Sequence, residues 1–172
     1  YETRGLVMAS PALDATGGRV FVGSMAGTVH ALRAADGASL WSFDAEGGLY
    51  SSPALDELGN LYVGGVDSYL YALRADTGAL KWKFRASAAI YSSPATAPSA
   101  RFPGGLVFVG ATDWKLYAVR ADDGLLAWNQ TLRRSQGQTT QSTPSSPSSD
   151  VTNVTTNVTT NVTTNVTNVT NA

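Results

Sequence analysis

No cysteine occurs in this sequence, and His30 is its only histidine. Disulfides, thiolate metal sites and thiol nucleophiles are excluded together, and zinc sites or histidine-dependent triads have almost no material to draw on. The missing thiols leave the redox compartment open. Charge is sparse and balanced, since 12 Lys and Arg stand against 13 Asp and Glu for a net charge of −1. That balance gives no electrostatic reason to expect nucleic acid or an anionic membrane as a partner. No apolar run approaches the roughly 20 residues of a membrane-spanning helix, so membrane insertion is not expected. The N-terminus shows neither an initiator Met nor a charged-then-apolar signal pattern, and the chain reads as soluble and as a fragment or processed form. Aromatic residues are missing from one region only. Every Trp, Tyr and Phe lies at or before Trp128, whereas residues 135–172 contain none and carry one charge, Asp150. A folded domain is therefore expected to end near Leu132.

What fills that domain is a repeat. Ser10-Pro11-Ala12-Leu13 recurs as Ser52-Pro53-Ala54-Leu55 and as Ser93-Pro94-Ala95-Thr96, with prolines 42 and 41 residues apart. Each copy continues through an apolar run ending in Gly (Val20 to Gly23, Leu61 to Gly64, Val107 to Gly110). A second run ends in Arg33, Arg74 and Arg120, and each copy closes at Trp41, Trp82 and Trp128. The last interval is longer, 46 residues from Trp82 to Trp128, and the surplus falls on Pro98 to Gly104, a surface-loop composition. Within a copy, short β-branched and aromatic runs alternate with period two and are separated by Gly, Asp and Asn, which predicts strands joined by tight turns. In the second copy these are expected near 48–55, 60–65, 69–75 and 80–85, with turns at Leu58-Gly59-Asn60 and Val66-Asp67-Ser68. No segment sustains a helical period. Four short antiparallel strands recurring at this interval form the pattern of a β-propeller blade.

The spacing from Ala31 to Trp41, Ala72 to Trp82 and Ala118 to Trp128, with Gly37, Gly78 and Gly124 between, resembles the tryptophan-docking motif of pyrroloquinoline-quinone (PQQ) type repeats. The resemblance covers about residues 5 to 131. It implies an all-β fold, a partial propeller of three blades at about 5–43, 48–84 and 89–131, in which the Trp ring of one blade packs on the next and the Gly allows the turn before the last strand. At the position usually acidic in the family, this sequence has Arg33, Arg74 and Arg120. Family members with the complete fold have many blades in a ring. Tyr1 aligns with Phe43, two residues past the place of a preceding Trp, so further blades are expected upstream.

The quinone-dependent enzymes of the family hold a calcium with carboxylate and amide side chains and use a catalytic acid. None of these can be matched to positions here, so no cofactor, metal ligand or catalytic residue is assigned and PQQ enters by resemblance alone. The three Arg are expected as solvated strand ends, with an arc for an anionic ligand as the sharper alternative. Asp67 and Asp113 are expected to accept backbone N–H groups in their turns. His30, aligned with Tyr71 and Tyr117, is expected to fill an aromatic packing slot, and Trp114 to be a partly packed turn residue, with an exposed binding aromatic as the sharper alternative.

Residues 133–150 read as a Ser/Thr/Pro-rich linker and residues 151–172 as a Val-Thr-Thr-Asn repeat, a disordered or extended tail. Asn-x-Thr acceptors stand at Asn153, Asn157, Asn161, Asn165 and Asn168, with another at Asn129, so the tail is a candidate glycan carrier. These features predict a non-catalytic interaction or structural module. Its expected partners are proteins, further blades or copies of itself, and its expected setting is extracellular or at the cell surface, with periplasm and cytosol left open. The competing readings are a fragment of a PQQ-dependent oxidoreductase and a fibre-forming subunit.

Overall fold

The computed structural model describes residues 2–3 and 5–132. The linker, the tail and its five acceptor sites lie outside the described residues. The described part contains twelve strands and no helix. They are β1 (Ala12–Leu13), β2 (Arg19–Gly23), β3 (Thr28–Arg33), β4 (Ser39–Asp44), β5 (Ala54–Leu55), β6 (Asn60–Gly64), β7 (Tyr69–Arg74), β8 (Leu80–Arg85), β9 (Ala95–Ala97), β10 (Leu106–Gly110), β11 (Lys115–Arg120) and β12 (Leu126–Thr131). In chain order they form three four-stranded antiparallel sheets, β1 to β4, β5 to β8 and β9 to β12, one per repeat.

The first strand of each blade is shorter than its sequence suggests. Residues 48–53 are not in the sheet, and β5 begins only at Ala54. Pro53 has no N–H to give to a ladder, and the backbone before it is bonded to the blade's own turn and to both neighbouring blades. Val66 N–H donates to Gly48 O, Leu49 N–H to Ser24 O, and Ser52 N–H to Ser93 Oγ.

Alternation with period two explains how the blades stack, because successive strand residues point to opposite faces. From the middle blade, Leu61, Val63, Tyr71 and Leu73 join Phe21, Val29 and Ala31 in one buried cluster. Tyr62, Leu70 and Ala72 turn the other way and join Val107, Val109, Tyr117 and Val119 in a second. Every residue of β6 is buried, since that strand is covered on both faces.

Each blade carries the same irregularity. The β3–β4, β7–β8 and β11–β12 ladders shift register beside Ala31, Ala72 and Ala118, leaving Leu40, Lys81 and Ala127 as the extra residues of three bulges. The bulge re-aims the next side chain, so Trp41, Trp82 and Trp128 stand directly opposite Ala31, Ala72 and Ala118. A methyl group there leaves room for an indole to lie across the sheet.

Candidate interaction surfaces

The joint between blades is built from the docking residues. Trp41 Nε1 donates to Ala75 O of the next blade at 3.1 Å, and Trp82 Nε1 donates to Ala121 O at 3.1 Å. Under each indole lies a glycine in the left-handed region, Gly78 and Gly124, both with φ of 75°. A Cβ at Gly78 would meet the Trp41 ring at 2.6 Å, and one at Gly124 the Trp82 ring at 2.7 Å. Glycine is required twice over, for the turn and for the ring above it. Each indole also rests on an aromatic of its own blade, Phe21 or Tyr62, with centroids 5.7 Å apart. Nearer the first strands, Ser10 N–H donates to Ser52 Oγ at 2.8 Å and Ser52 N–H to Ser93 Oγ at 3.0 Å. The third indole has no following blade among the described residues, and Trp128 is 42% exposed. At the other end Gly37, φ 71°, has nothing within 4 Å of its Cβ position.

The three Arg lie at strand ends and each meets an acid of its own turn: Arg33 with Asp36, Arg74 with Asp76, and Arg120 with Asp122 and Asp123. Each guanidinium is thus neutralised within its own blade.

One end of the blades holds the β2–β3, β6–β7 and β10–β11 turns together with the segments that lead from one blade to the next. Met25 N–H donates to Leu6 O, Val66 N–H to Gly48 O and Thr112 N–H to Ala89 O, tying each turn to the segment before it. Asp67 and Asp113 cap these turns, accepting from Tyr69 N–H and Lys115 N–H. Their second oxygens accept from the Tyr71 and Tyr117 hydroxyls, and those hydroxyls in turn accept from Glu46 N–H and Ser87 N–H of the preceding blade. Burial, then the Asp67 carboxylate, raise the Tyr71 phenol above its ordinary value. His30 takes the equivalent buried place in the first blade, where desolvation lowers its pKa.

This end also displays apolar side chains that the motif search did not single out. Met8, Tyr50 and Tyr91 occupy one repeat position, two residues before each Ser-Pro. Met8 is 65% and Tyr91 52% exposed, and the Tyr50 and Tyr91 rings lie 5.3 Å apart. The repeat alignment contains this signal, but Met and Tyr at a conserved register read equally well as core. Of the two readings of Trp114, the partly packed one does not hold. The residue is 65% exposed with φ of 66°, in the turn position held by Gly27 and Ser68, both also at positive φ.

At the opposite end a cleft of about 640 Å³ opens between the first strands of the three blades, lined by Leu13, Leu55 and Ala97 with Arg19 and Glu57 among its polar groups. Asp14 lies on its wall, ion-paired to Arg19 at 2.8 Å, and that guanidinium holds the carboxyl down to about 2. Among the described residues no three His, Asp or Glu side chains converge to hold a metal ion.

Three stacked four-stranded blades joined through indoles set the terms for comparison. The family model described as outer membrane protein assembly factor BamB matches residues 6–171. The chain belongs to this family. Among solved structures, the crystal structure of BamB from Moraxella catarrhalis is similar at TM-score 0.63 and 20% identity, over 76% of this chain. At that identity the likeness is one of fold, the β-propeller. The chain spans 38% of the length of that BamB chain. No curated protein matches it.

Proposed function

We propose that this chain is a non-catalytic protein-interaction module that binds its partner through the end carrying Met8, Tyr50, Tyr91 and Trp114. The Tyr50–Tyr91 ring pair, Tyr50 half-buried and Tyr91 exposed, carries the reading. Large apolar side chains set at one position in successive blades form the kind of exposed patch that marks a binding surface, and aromatic anchors supply most of the energy of such contacts. Trp114 in the left-handed region is held at a steric cost, and such outliers gather at functional sites. The assembly-factor description of the family fits a protein partner, and its outer-membrane setting fits a module working outside the cytoplasm.

The test is site-specific photocrosslinking in the cells that make the protein. A crosslinker at Tyr91 is expected to give a covalent adduct with a protein, and one at Leu13, in the opposite cleft, is not. Equal labelling at the two positions, or none at Tyr91, overturns the assignment.

The tail extends this proposal as a glycan-bearing spacer with acceptors at Asn153, Asn157, Asn161, Asn165 and Asn168, joined by the exposed Asn129 on β12. Five acceptors in 16 residues support it. The intact mass of protein from its native source should fall by several glycan units on glycosidase treatment, and a mass equal to the bare polypeptide removes this part.

A further inference from the structure

A short polar chain crosses the middle blade. Asn60 opens β6 and is 6% exposed. Its side-chain amide is held at both atoms: Nδ2–H donates to Asp56 Oδ2 at 2.7 Å, and Oδ1 accepts from Lys81 Nζ at 2.7 Å. Asp56 is itself fixed, since its Oδ1 accepts the Leu58 and Asn60 N–H groups and its Oδ2 also accepts the Tyr62 hydroxyl at 2.7 Å. Lys81 is the extra residue of the β7–β8 bulge, and from that exposed place its side chain reaches across β7 to β6. A carbonyl carbon lies about 1.2 Å from its oxygen, which puts Lys81 Nζ within about 3.9 Å of Asn60 Cγ. The other blades lack this set, with Arg19 and Leu106 in the place of Asn60 and Leu40 and Ala127 in the place of Lys81. An amine, a carboxamide and a carboxylate joined in one row are the reactants and the proton carrier of a transamidation.

We propose that Lys81 and Asn60 react with each other to form an amide bond between their side chains, with Asp56 carrying the proton. Lys81, as the free amine, attacks Asn60 Cγ, and the Nζ–Cγ bond forms as the carbonyl π pair moves onto Oδ1. Both nitrogens then sit on one carbon beside the Asp56 carboxylate, which takes a proton from Nζ and returns it to Nδ2. The Oδ1 pair re-forms the carbonyl, the Cγ–Nδ2 bond breaks, and ammonia leaves. A primary amine and a carboxamide become a secondary amide and ammonia, so the step needs no oxidant, reductant or activated co-reactant. Two features of the fold favour it. The hydrogen bonds hold the three groups together, which replaces a bimolecular encounter with a step inside one molecule. Burial of Asn60 keeps water from competing for Cγ. The product ties β6 to β8 across β7 and closes the chain between residues 60 and 81 into a loop. This goes beyond the proposed partner surface, with which the site shares no residue.

Peptide mapping of the full chain by mass spectrometry tests it. Trypsin cuts after Arg74, so Asn60 and Lys81 fall on separate peptides unless they are joined. The expected product is a branched pair, lighter by one ammonia than its two parts and uncut after Lys81. Lys81→Arg, at an exposed position, removes the nucleophile, and Asp56→Asn removes the proton carrier while leaving both reacting groups in place. Each variant is expected to give separate peptides. An asparagine also loses ammonia by closing on its own backbone as a cyclic imide, so a loss of ammonia that persists in Lys81→Arg overturns the proposal. Separate peptides from the unsubstituted chain overturn it too, if they remain after prolonged incubation at mildly alkaline pH, where more of any amine is free. So does a joined pair that forms as readily in Asp56→Asn.

Discussion

An indole over a glycine occurs at Gly78 and Gly124, while Gly37 repeats the turn without the ring. That difference separates two costs that usually come together. Alanine in a left-handed turn costs about 1–2 kcal/mol, and Gly37→Ala should lose only that. Gly78→Ala drives a methyl against Trp41 at 2.6 Å, and overpacking adds about 1–3 kcal/mol. Urea unfolding of the pair should rank them in that order, and equal losses would show that the ring yields freely. His30 offers a second measurement. Burial lowers its pKa from the ordinary 6.5, outweighing the Thr3 backbone and Asp44, which favour the proton. An unfolded chain then takes up a proton that the native one refuses, so stability should decline as pH falls from about 7 through 6.5. With no other histidine in the sequence, His30→Tyr should flatten that slope; a slope left unchanged assigns it to another group.

At the level of elements, the repeat made the strands β2 to β4 and their equivalents legible, because alternation and turn residues act locally. The first strands were not, since part of their backbone is bonded to the neighbouring blades, and nothing in Gly48 to Pro53 announces that Leu49 pairs with Ser24 and Ser52 with Ser93. The bulges were equally hidden. The Ala-to-Trp spacing encodes them, but it takes the paired strand to show that Leu40, Lys81 and Ala127 are the extra residues. The apolar set Met8, Tyr50 and Tyr91 could be aligned but not placed, because residue type does not separate an exposed Tyr91 from a buried Tyr62. One element-level device is open to test. Ser51 is fully buried and its Oγ accepts Gly64 N–H at 3.1 Å, closing the end of β6. Ser51→Ala leaves that N–H buried without a partner, a loss of about 1–3 kcal/mol. Ser92 makes the same bond to Gly110 N–H in an exposed place, where water can substitute, and Ser92→Ala should cost clearly less. Equal thermal shifts would contradict this reading of the two sites.

For the molecule as a whole, stability should be distributed as in a short one-dimensional array, because each blade's core is shared with a neighbour rather than enclosed within it. The buried clusters join first to second blade and second to third, and neither lies inside a single blade. The middle blade is covered on both faces, so β6 and β7 should show the slowest amide exchange. The outer blades can open one at a time, each giving up a single interface. Trp41→Ala weakens only the first interface, and should speed exchange in β2 and β3 while leaving β10 and β11 as they were. Trp82→Ala should do the reverse. Hydrogen exchange read by mass spectrometry resolves these segments. If either substitution accelerated all three blades alike, the stack would be unfolding as one cooperative unit, and the interfaces would be too strong to break singly.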